Sequence, residues 1–238
     1  MSSVVEAPEH NAPSSTIDVE VLVVGAGPVG LTAAALLSAC GVDVLVVERN
    51  GSTSEEPKAI SIDDESLRTF AAAGLIDAVL PIVTPGTGTR YYGADGVPLF
   101  QARAAVPFRL GYPFKNPFAQ PDLERALNSA AAADPRVQVR FGTELTGLSQ
   151  DEHGATGTIR DLASDTFLRV RCKYLLGCDG GRSAVRDFLG VTMSGRSHSE
   201  VVGGGHAARS AHRALWHAPR RPRPPLRDHS RTGWPLPV

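Results

Sequence analysis

The stretch VEVLVVGAGPVGLTAAALLSACGVDVLVVE (residues 19–48) decides the fold of this chain, because it joins two apolar runs through a glycine-rich turn. VEVLVV (19–24) is a continuous, largely β-branched run, which is typical of a strand buried on both faces of a parallel sheet. GAGPVG follows at once, and an Ala- and Leu-rich helical segment continues to about Cys40. VDVLVVE (42–48) then forms a second strand. The pattern predicts a βαβ unit and therefore an α/β, Rossmann-like fold.

The turn of this unit has GxGxxG spacing, which is typical of a dinucleotide site. Gly25 permits a tight turn, Gly27 lets the backbone approach a pyrophosphate, and Gly30 lets helix and strand pack closely. Glu48 ends the second strand, where a carboxylate accepts hydrogen bonds from ribose hydroxyls and disfavours a ribose 2′-phosphate. A plain structural turn is the alternative for the glycines alone. The complete order of strand, glycines, helix, strand and acid favours the dinucleotide site.

The charge of the chain is unevenly distributed along its 238 residues. The formal net charge is −1, yet residues 206–238 hold seven Arg and one Asp, so the first 205 residues carry 17 basic and 24 acidic residues. An acidic body of this kind is a poor nucleic-acid binder, since phosphate binding requires clustered Lys and Arg. The Arg- and Pro-rich end is expected to be a disordered tail.

No membrane or export segment is expected, although residues 21–42 lack any charged side chain. Glycines and Pro28 interrupt this stretch, and its hydrophobic period changes from strand to helix midway. Cys40, Cys172 and Cys178 show no CxxC spacing, and we expect them to be buried thiols of a cytoplasmic protein, with no metal site.

Three further stretches predict helices or turns that belong to the same domain. A helix is expected from about Asp63 and Asp64 to Gly74, with acids in its first turn. A second helix opens at Pro121 and Asp122, with Gln120 at its entrance. YLLGCDGGRSAVRDFLG (174–190) pairs a buried strand with a glycine turn and a new helix.

With these motifs in place, the chain resembles the FAD-dependent aromatic hydroxylases, the single-component flavoprotein monooxygenases that include para-hydroxybenzoate hydroxylase. AISIDDESLRTFAAAGL (59–75) and NPFAQPDLERAL (116–127) are most similar to the hydroxyphenylpropionate hydroxylase branch. CDGGRSAVR (178–186) resembles the Asp-Gly motif of the family. The resemblance covers residues 19 to about 195.

The resemblance implies a set of FAD-binding residues. The glycine loop with the strand end is implied to hold the AMP half of FAD, Lys58 to lie near the pyrophosphate where relatives usually have arginine, and Gln120 to contact the flavin side. The Asp-Gly motif is implied to serve both FAD and a transiently bound NADH or NADPH. The implied residues are Gly25, Ala26, Gly27, Pro28, Val29, Gly30, Glu48, Arg49, Lys58, Gln120, Asp179 and Gly180.

The implied activity is hydroxylation of a phenolic or other aromatic substrate by dioxygen through a flavin hydroperoxide, at the expense of NADH or NADPH. No catalytic acid or base is assigned. Two alternatives remain open: an inactive FAD-binding remnant of such a hydroxylase, and a binding module whose basic tail engages an acidic partner. Purely structural roles are the alternatives for two of these motifs: Asp179 and Gly180 also suit a simple strand-to-helix turn capped by Ser183, and Gln120 suits an ordinary loop.

The expected organisation is a disordered N-terminus (1–16), an FAD-binding domain in two parts (17–86 and 116–200), a segment of the substrate-binding sheet (87–115), and the tail (201–238). The substrate sheet is expected to be incomplete, because relatives continue past this length and carry a second Gly-Asp motif, so the chain is read as truncated. A hairpin turning at Asp95 and Gly96 is expected in residues 89–101. A β-meander is expected before the Asp-Gly motif, with strands at 136–141, 144–151, 155–161 and 167–177.

Overall fold

A computed structural model describes residues 15–56, 58–86, 88–103 and 106–196. The expected tail (201–238) and most of the expected disordered N-terminus, residues 1–14, lie outside the described residues. Within these ranges, no helix is long and apolar enough to cross a membrane.

The predicted βαβ unit is present and forms the centre of the structure. Strand β1 (Thr16–Val24) leads into helix α1 (Pro28–Ala39), which is followed by strand β2 (Val44–Val47). The two strands pair in parallel, as the continuous apolar runs predict. Pro28 occupies the first turn of α1, where its fixed φ suits a helix start and its missing N–H costs no hydrogen bond.

The remaining elements follow in chain order. They are β3 (Ser61–Asp63), α2 (Asp64–Ala72), α3 (Ile76–Val79), β4 (Thr89–Tyr92), β5 (Pro98–Ala102), β6 (Lys115–Pro117), α4 (Gln120–Ala133), β7 (Val137–Arg140), β8 (Thr143–Asp151), β9 (Gly154–Asp161), β10 (Thr166–Gly177) and α5 (Ala184–Phe188). The strands predicted between 136 and 177 therefore fall within one residue of the observed ones. The segments β3, α3 and β6 were not predicted.

Six strands form the main sheet in the order β7-β2-β1-β10-β9-β8. Strands β8, β9 and β10 are the antiparallel meander that the sequence predicts, and β10 also pairs in parallel with β1. The first strand predicted for the meander, β7, does not belong to it, because β7 pairs in parallel with β2 at the opposite edge of the sheet. The meander is thus continuous with the Rossmann-like sheet.

Both faces of the central strands are buried because successive side chains of a strand point to opposite sides of the sheet. Val21 and Val23 pack with residues of α1, α2 and α4 in one apolar cluster. Leu22 and Val24 pack on the other face with residues of the meander and α5. This arrangement explains why VEVLVV contains no polar residue after Glu20.

Among the described residues, two small sheets lie outside the main one. β3 pairs with β6, and β4 pairs with β5 as the expected hairpin, whose turn contains Asp95 and Gly96. The rings of Tyr91 and Phe100 stack across this hairpin with 4.3 Å between their centroids, yet both residues are exposed.

One prediction about the cysteines is wrong. Cys172 is buried and Cys178 is half-buried, but Cys40 is exposed, because it lies at the C-terminal end of α1 beyond the face that packs on the sheet.

Candidate cofactor-binding site

A cleft of about 300 Å³ lies at the carboxyl ends of β1, β2 and β10, and we call it the cofactor cleft. In parallel sheets, ligands bind at the carboxyl ends of the strands. The cleft brings together every predicted site residue except Gly30. Its lining residues are Val24, Gly25, Ala26, Gly27, Pro28, Val29, Val47, Glu48, Arg49, Asn50, Ser52, Thr53, Ser54, Lys58, Gln120, Glu124, Thr143, Glu144, Leu145, Cys178, Asp179, Gly180, Arg182 and Ala184.

The three motif glycines differ in what a side chain would meet. A Cβ at Gly25, where φ is +106°, would overlap the backbone carbonyl of Cys178, and a Cβ at Gly30 would overlap the carbonyl of Gly25. A Cβ at Gly27 would meet no atom within 4 Å. Gly25 and Gly30 are therefore required by the packing of the protein itself. Gly27 leaves open space in front of the N-terminus of α1, as a bound pyrophosphate needs.

Glu48 is held at the rim of the cleft by the backbone on both sides. Its Oε2 accepts a hydrogen bond from the backbone N–H of Ala26 at 3.0 Å. Its Oε1 accepts two hydrogen bonds from Asn50, from the backbone N–H at 2.9 Å and from Nδ2 at 2.6 Å. The carboxylate keeps further lone pairs for a ligand. Asn50 was not predicted, since nothing in the local pattern distinguishes it from a turn residue.

Three cationic side chains line the cleft: Arg49, Lys58 and Arg182. The Lys58 side chain is 70% exposed, and its Nζ lies 3.6 Å from a carboxylate oxygen of Glu56. Cations at this position complement a bound pyrophosphate, and lysine does so as a point charge without the planar fork of arginine.

Gln120 is buried and forms the first residue of α4, so it is not an ordinary loop residue. Its Oε1 accepts a hydrogen bond from the backbone N–H of Ala59 at 2.7 Å. Its Nε2 donates to Oε1 of Glu124 at 2.7 Å, and Glu124 Oε2 accepts from the backbone N–H of Ser54 at 2.8 Å. Glu124, which is also buried, was missed because a Glu one turn into a helix carries no signal of its own in the sequence.

Asp179 stabilises the start of α5 while it lines the cleft. Its Oδ1 accepts from the Ser183 hydroxyl at 2.6 Å, and its Oδ2 accepts from the backbone N–H of Ala184 at 2.6 Å. Ser183 in turn caps the helix by accepting from the N–H of Arg186. Gly180 has φ +79° and no atom within 4 Å of a Cβ position. The turn is therefore structural on one side and open to a ligand on the other.

Cys178 also lines the cleft, directly before this turn. Burial raises the pKa of its thiol, and the neighbouring Asp179 carboxylate raises it further. The thiol therefore stays protonated near neutral pH, and it contributes a small apolar surface rather than a nucleophile.

The cleft fits FAD by its own chemistry. It has open space at Gly27 before a helix N-terminus, a fixed carboxylate at the end of the second strand, and three cationic side chains in its lining. These are the groups that a pyrophosphate and a ribose require. Together, fold and cleft define a dinucleotide-binding flavoprotein domain.

Residues 18–217 match the family model described as "FAD binding domain", so this chain belongs to that family. The match confirms the FAD-binding assignment made from the sequence. It runs past residue 200, so the domain boundary expected there stays a prediction.

The chain is also similar to curated hydroxylases. It is 42% identical over 194 residues to the 3-(3-hydroxy-phenyl)propionate/3-hydroxycinnamic acid hydroxylase of Comamonas testosteroni, which covers 80% of this chain and 32% of the relative. The enzyme of the same name from Mycobacterium sp. (strain JLS) is 41% identical over 179 residues, covering 75% of this chain and 30% of the relative. The chain thus spans about a third of the length of these relatives. The predicted resemblance to the hydroxyphenylpropionate hydroxylase branch is confirmed.

Solved structures agree with this assignment. The flavin-dependent monooxygenase PieE, in complex with FAD and substrate, has a TM-score of 0.68 and 35% identity over 78% of this chain and 34% of PieE. The p-nitrophenol 4-monooxygenase PnpA from Pseudomonas putida DLL-E4 has a TM-score of 0.70 and 27% identity over 76% of this chain and 46% of PnpA. The predicted fold class is confirmed.

Proposed function

We propose that this chain carries the FAD-binding part of a cytoplasmic monooxygenase that consumes NADH or NADPH and hydroxylates a phenolic or other aromatic substrate with dioxygen. The observation that carries this proposal is the cofactor cleft, where three segments far apart in sequence meet: the glycine loop, Glu48, and the Asp179 turn. The identity to the two named hydroxylases supports an aromatic acid as the substrate class.

One group of the predicted residues acts on the pyrophosphate and the AMP half of FAD in this proposal. The backbone N–H groups of α1, reached through the open space at Gly27, bind the pyrophosphate, and Lys58 and Arg49 balance its charge. Glu48 accepts hydrogen bonds from the ribose of the AMP half, and its orientation is fixed by Ala26 and Asn50.

The remaining residues act on the flavin side of the cleft. Gln120 fixes the loop that closes this side, and Asp179 with Gly180 forms the wall on the β10 side. FAD, when bound, supplies the two-electron redox chemistry that couples NADH or NADPH to oxygen transfer. The protein supplies orientation and exclusion of water.

The first experiment is a titration of the purified chain with FAD, followed by flavin fluorescence and visible absorption. Saturable binding near one FAD per chain is expected. Absence of binding would overturn the proposal. FMN, which lacks the AMP half, is the matched control ligand and is expected to bind more weakly.

A second experiment separates a hydroxylase from an inactive FAD-binding remnant, an alternative that the similarities do not favour. The FAD-loaded chain is given NADH or NADPH with 3-(3-hydroxyphenyl)propionate. The measured quantity is the ratio of hydroxylated product formed to NADH or NADPH oxidised. A ratio approaching one supports the hydroxylase. NAD(P)H oxidation that yields only hydrogen peroxide, or no oxidation, supports the remnant.

A further inference from the structure

Helix α4 holds the described parts of one loop, residues 52–56 and 58–60, at the cofactor cleft through two buried side chains. Glu124 accepts a hydrogen bond from the backbone N–H of Ser54 at 2.8 Å, and Gln120 accepts one from the backbone N–H of Ala59 at 2.7 Å. The two side chains are joined to each other by the Gln120 Nε2 to Glu124 Oε1 hydrogen bond of 2.7 Å. We call these four residues the loop anchor.

Both anchoring side chains are buried, although hydrogen bonds at the surface would be enough to order a loop. Glu124 is only 4% exposed and Gln120 only 7%. A buried carboxylate is costly unless hydrogen bonds compensate for the lost water, and here each of its oxygens accepts one. An exposed ion pair reinforces the link, since Arg125 Nη1 lies 2.7 Å from Glu55 Oε1.

The anchored loop carries groups that face the cleft. Ser52, Thr53 and Lys58 all line it. Lys58 lies between the two anchored amides in sequence, and among the described residues its side chain makes a weak, exposed contact to Glu56 at 3.6 Å. Its position in the cleft therefore depends on the backbone that Gln120 and Glu124 hold.

We propose that Glu124 is a positioning residue for the cofactor: through Gln120 and the amides of Ser54 and Ala59, it fixes the loop that presents Lys58 to the cleft. This inference rests on the proposed FAD-binding function, and it assigns a role to a residue outside the predicted site. Glu124 acts through the loop and touches no reacting atom.

The anchor can be tested by exchanging its two side chains, Gln120 and Glu124. In Glu124→Gln, a single amide oxygen replaces two carboxylate oxygens, so the acceptors for Ser54 N–H and for Gln120 Nε2 cannot both be kept. In the double variant Gln120→Glu/Glu124→Gln, the new carboxylate at position 120 accepts from Ala59 and from the new amide nitrogen at position 124. The amide oxygen at position 124 then accepts from Ser54. All three hydrogen bonds and the net charge are restored.

The first readout is amide hydrogen exchange of the chain without FAD, measured residue by residue by NMR. In Glu124→Gln, exchange at Ser54 or at Ala59 is expected to be about tenfold faster, because the single amide oxygen leaves one of these two backbone N–H groups without its acceptor. The double variant is expected to return Ser54 and Ala59 to rates near those of the native chain. Unchanged exchange in Glu124→Gln, or no recovery in the double variant, would overturn the anchor.

The second readout is FAD affinity. Glu124→Gln is expected to weaken FAD binding about two- to fivefold, no more than loss of the Lys58 charge itself, whereas Glu152→Gln, the same charge change in the exposed turn between β8 and β9, leaves it unchanged. Equal affinity of Glu124→Gln and the native chain would overturn the positioning role. If the native chain itself binds no FAD, the proposed function fails, while the exchange experiment still decides the anchor.

A folding control completes the design. Far-UV circular dichroism establishes whether each variant is folded. Should Glu124→Gln be unfolded, the double variant decides: a folded protein with native exchange at Ser54 and Ala59 supports the anchor, and an unfolded one overturns it.

Discussion

The carboxylate of Glu48 accepts a hydrogen bond from the backbone N–H of Ala26 at 3.0 Å, which ties the end of β2 to the glycine loop after β1. The two residues are 22 positions apart, yet they meet because β1 and β2 are parallel neighbours and both end at the cleft. The acid is therefore oriented before any ligand arrives. Such preorganisation lowers the cost of binding.

Substituting Glu48 is expected to affect FAD and FMN differently. Glu48→Gln keeps the size of the side chain but removes its charge and one acceptor oxygen. FAD affinity is expected to fall about 10- to 100-fold, as for loss of a hydrogen bond to a charged group. FMN, which has no AMP half, is expected to bind with unchanged affinity. Fluorescence titrations with both flavins provide the measurement, and an equal loss for the two would contradict the ribose role.

The βαβ unit could be predicted from the sequence because its signals are local. The β-branched run, the GxGxxG spacing and the acid at residue 48 occur within about 30 positions, and each depends on backbone geometry alone. The hydrogen-bond partners of Glu48 could not be predicted, because they depend on where the folded backbone places the donors of Ala26 and Asn50.

Features that depend on contacts between distant segments were missed. The loop anchor joins residues 61 and 70 positions apart, and no periodicity reports such a pair. The place of β7 beside β2 was also missed, since strand order in a sheet is set by how α4 crosses it. Cys40 was expected to be buried because cysteine usually is, but its position at a helix end decides otherwise.

Substitution by alanine is expected to lower the stability of the protein at Gly30 and to lower only its FAD affinity at Gly27. At Gly30, an added methyl group overlaps the carbonyl of Gly25, so Gly30→Ala is expected to lose about 1–3 kcal/mol of stability or more. At Gly27, φ is −76° and a Cβ meets nothing within 4 Å, so Gly27→Ala is expected to fold as well as the native chain. The methyl group added at position 27 enters the space needed by the pyrophosphate. FAD affinity is therefore expected to fall at least about tenfold, which corresponds to the free energy of one or two lost hydrogen bonds.

Thermal unfolding and FAD titration of the two glycine variants provide the measurements. Native stability with lost binding is expected for Gly27→Ala alone. Full FAD affinity in that variant would place the pyrophosphate elsewhere.

The acid stability of the meander is expected to depend on Asp151. The hydrogen bond from Arg171 at 2.6 Å lowers the pKa of the Asp151 carboxyl from 3.8 to about 2, and the backbone N–H of His153 contributes to the same shift. Because the pKa is depressed in the folded state, this contribution to stability is present above about pH 4 and is lost as the pH falls towards 2. The melting temperatures of Asp151→Asn and the native chain are expected to differ above pH 4 and to converge near pH 2. A constant difference across this range would contradict the assignment.

Lys58 is expected to contribute to FAD binding through charge, and the size of its effect follows from its exposure. Its side chain is 70% exposed, so Lys58→Ala is expected to weaken FAD binding at most about fivefold, the scale of an exposed ion pair. The loss is expected to shrink at high salt, where exposed charges are screened. Lys58→Arg restores the charge and adds a planar fork that suits a phosphate, so it is expected to bind FAD at least as tightly as the native chain. Titrations of the three proteins at low and high salt provide the test, and a salt-independent loss in Lys58→Ala would show that the side chain acts through packing.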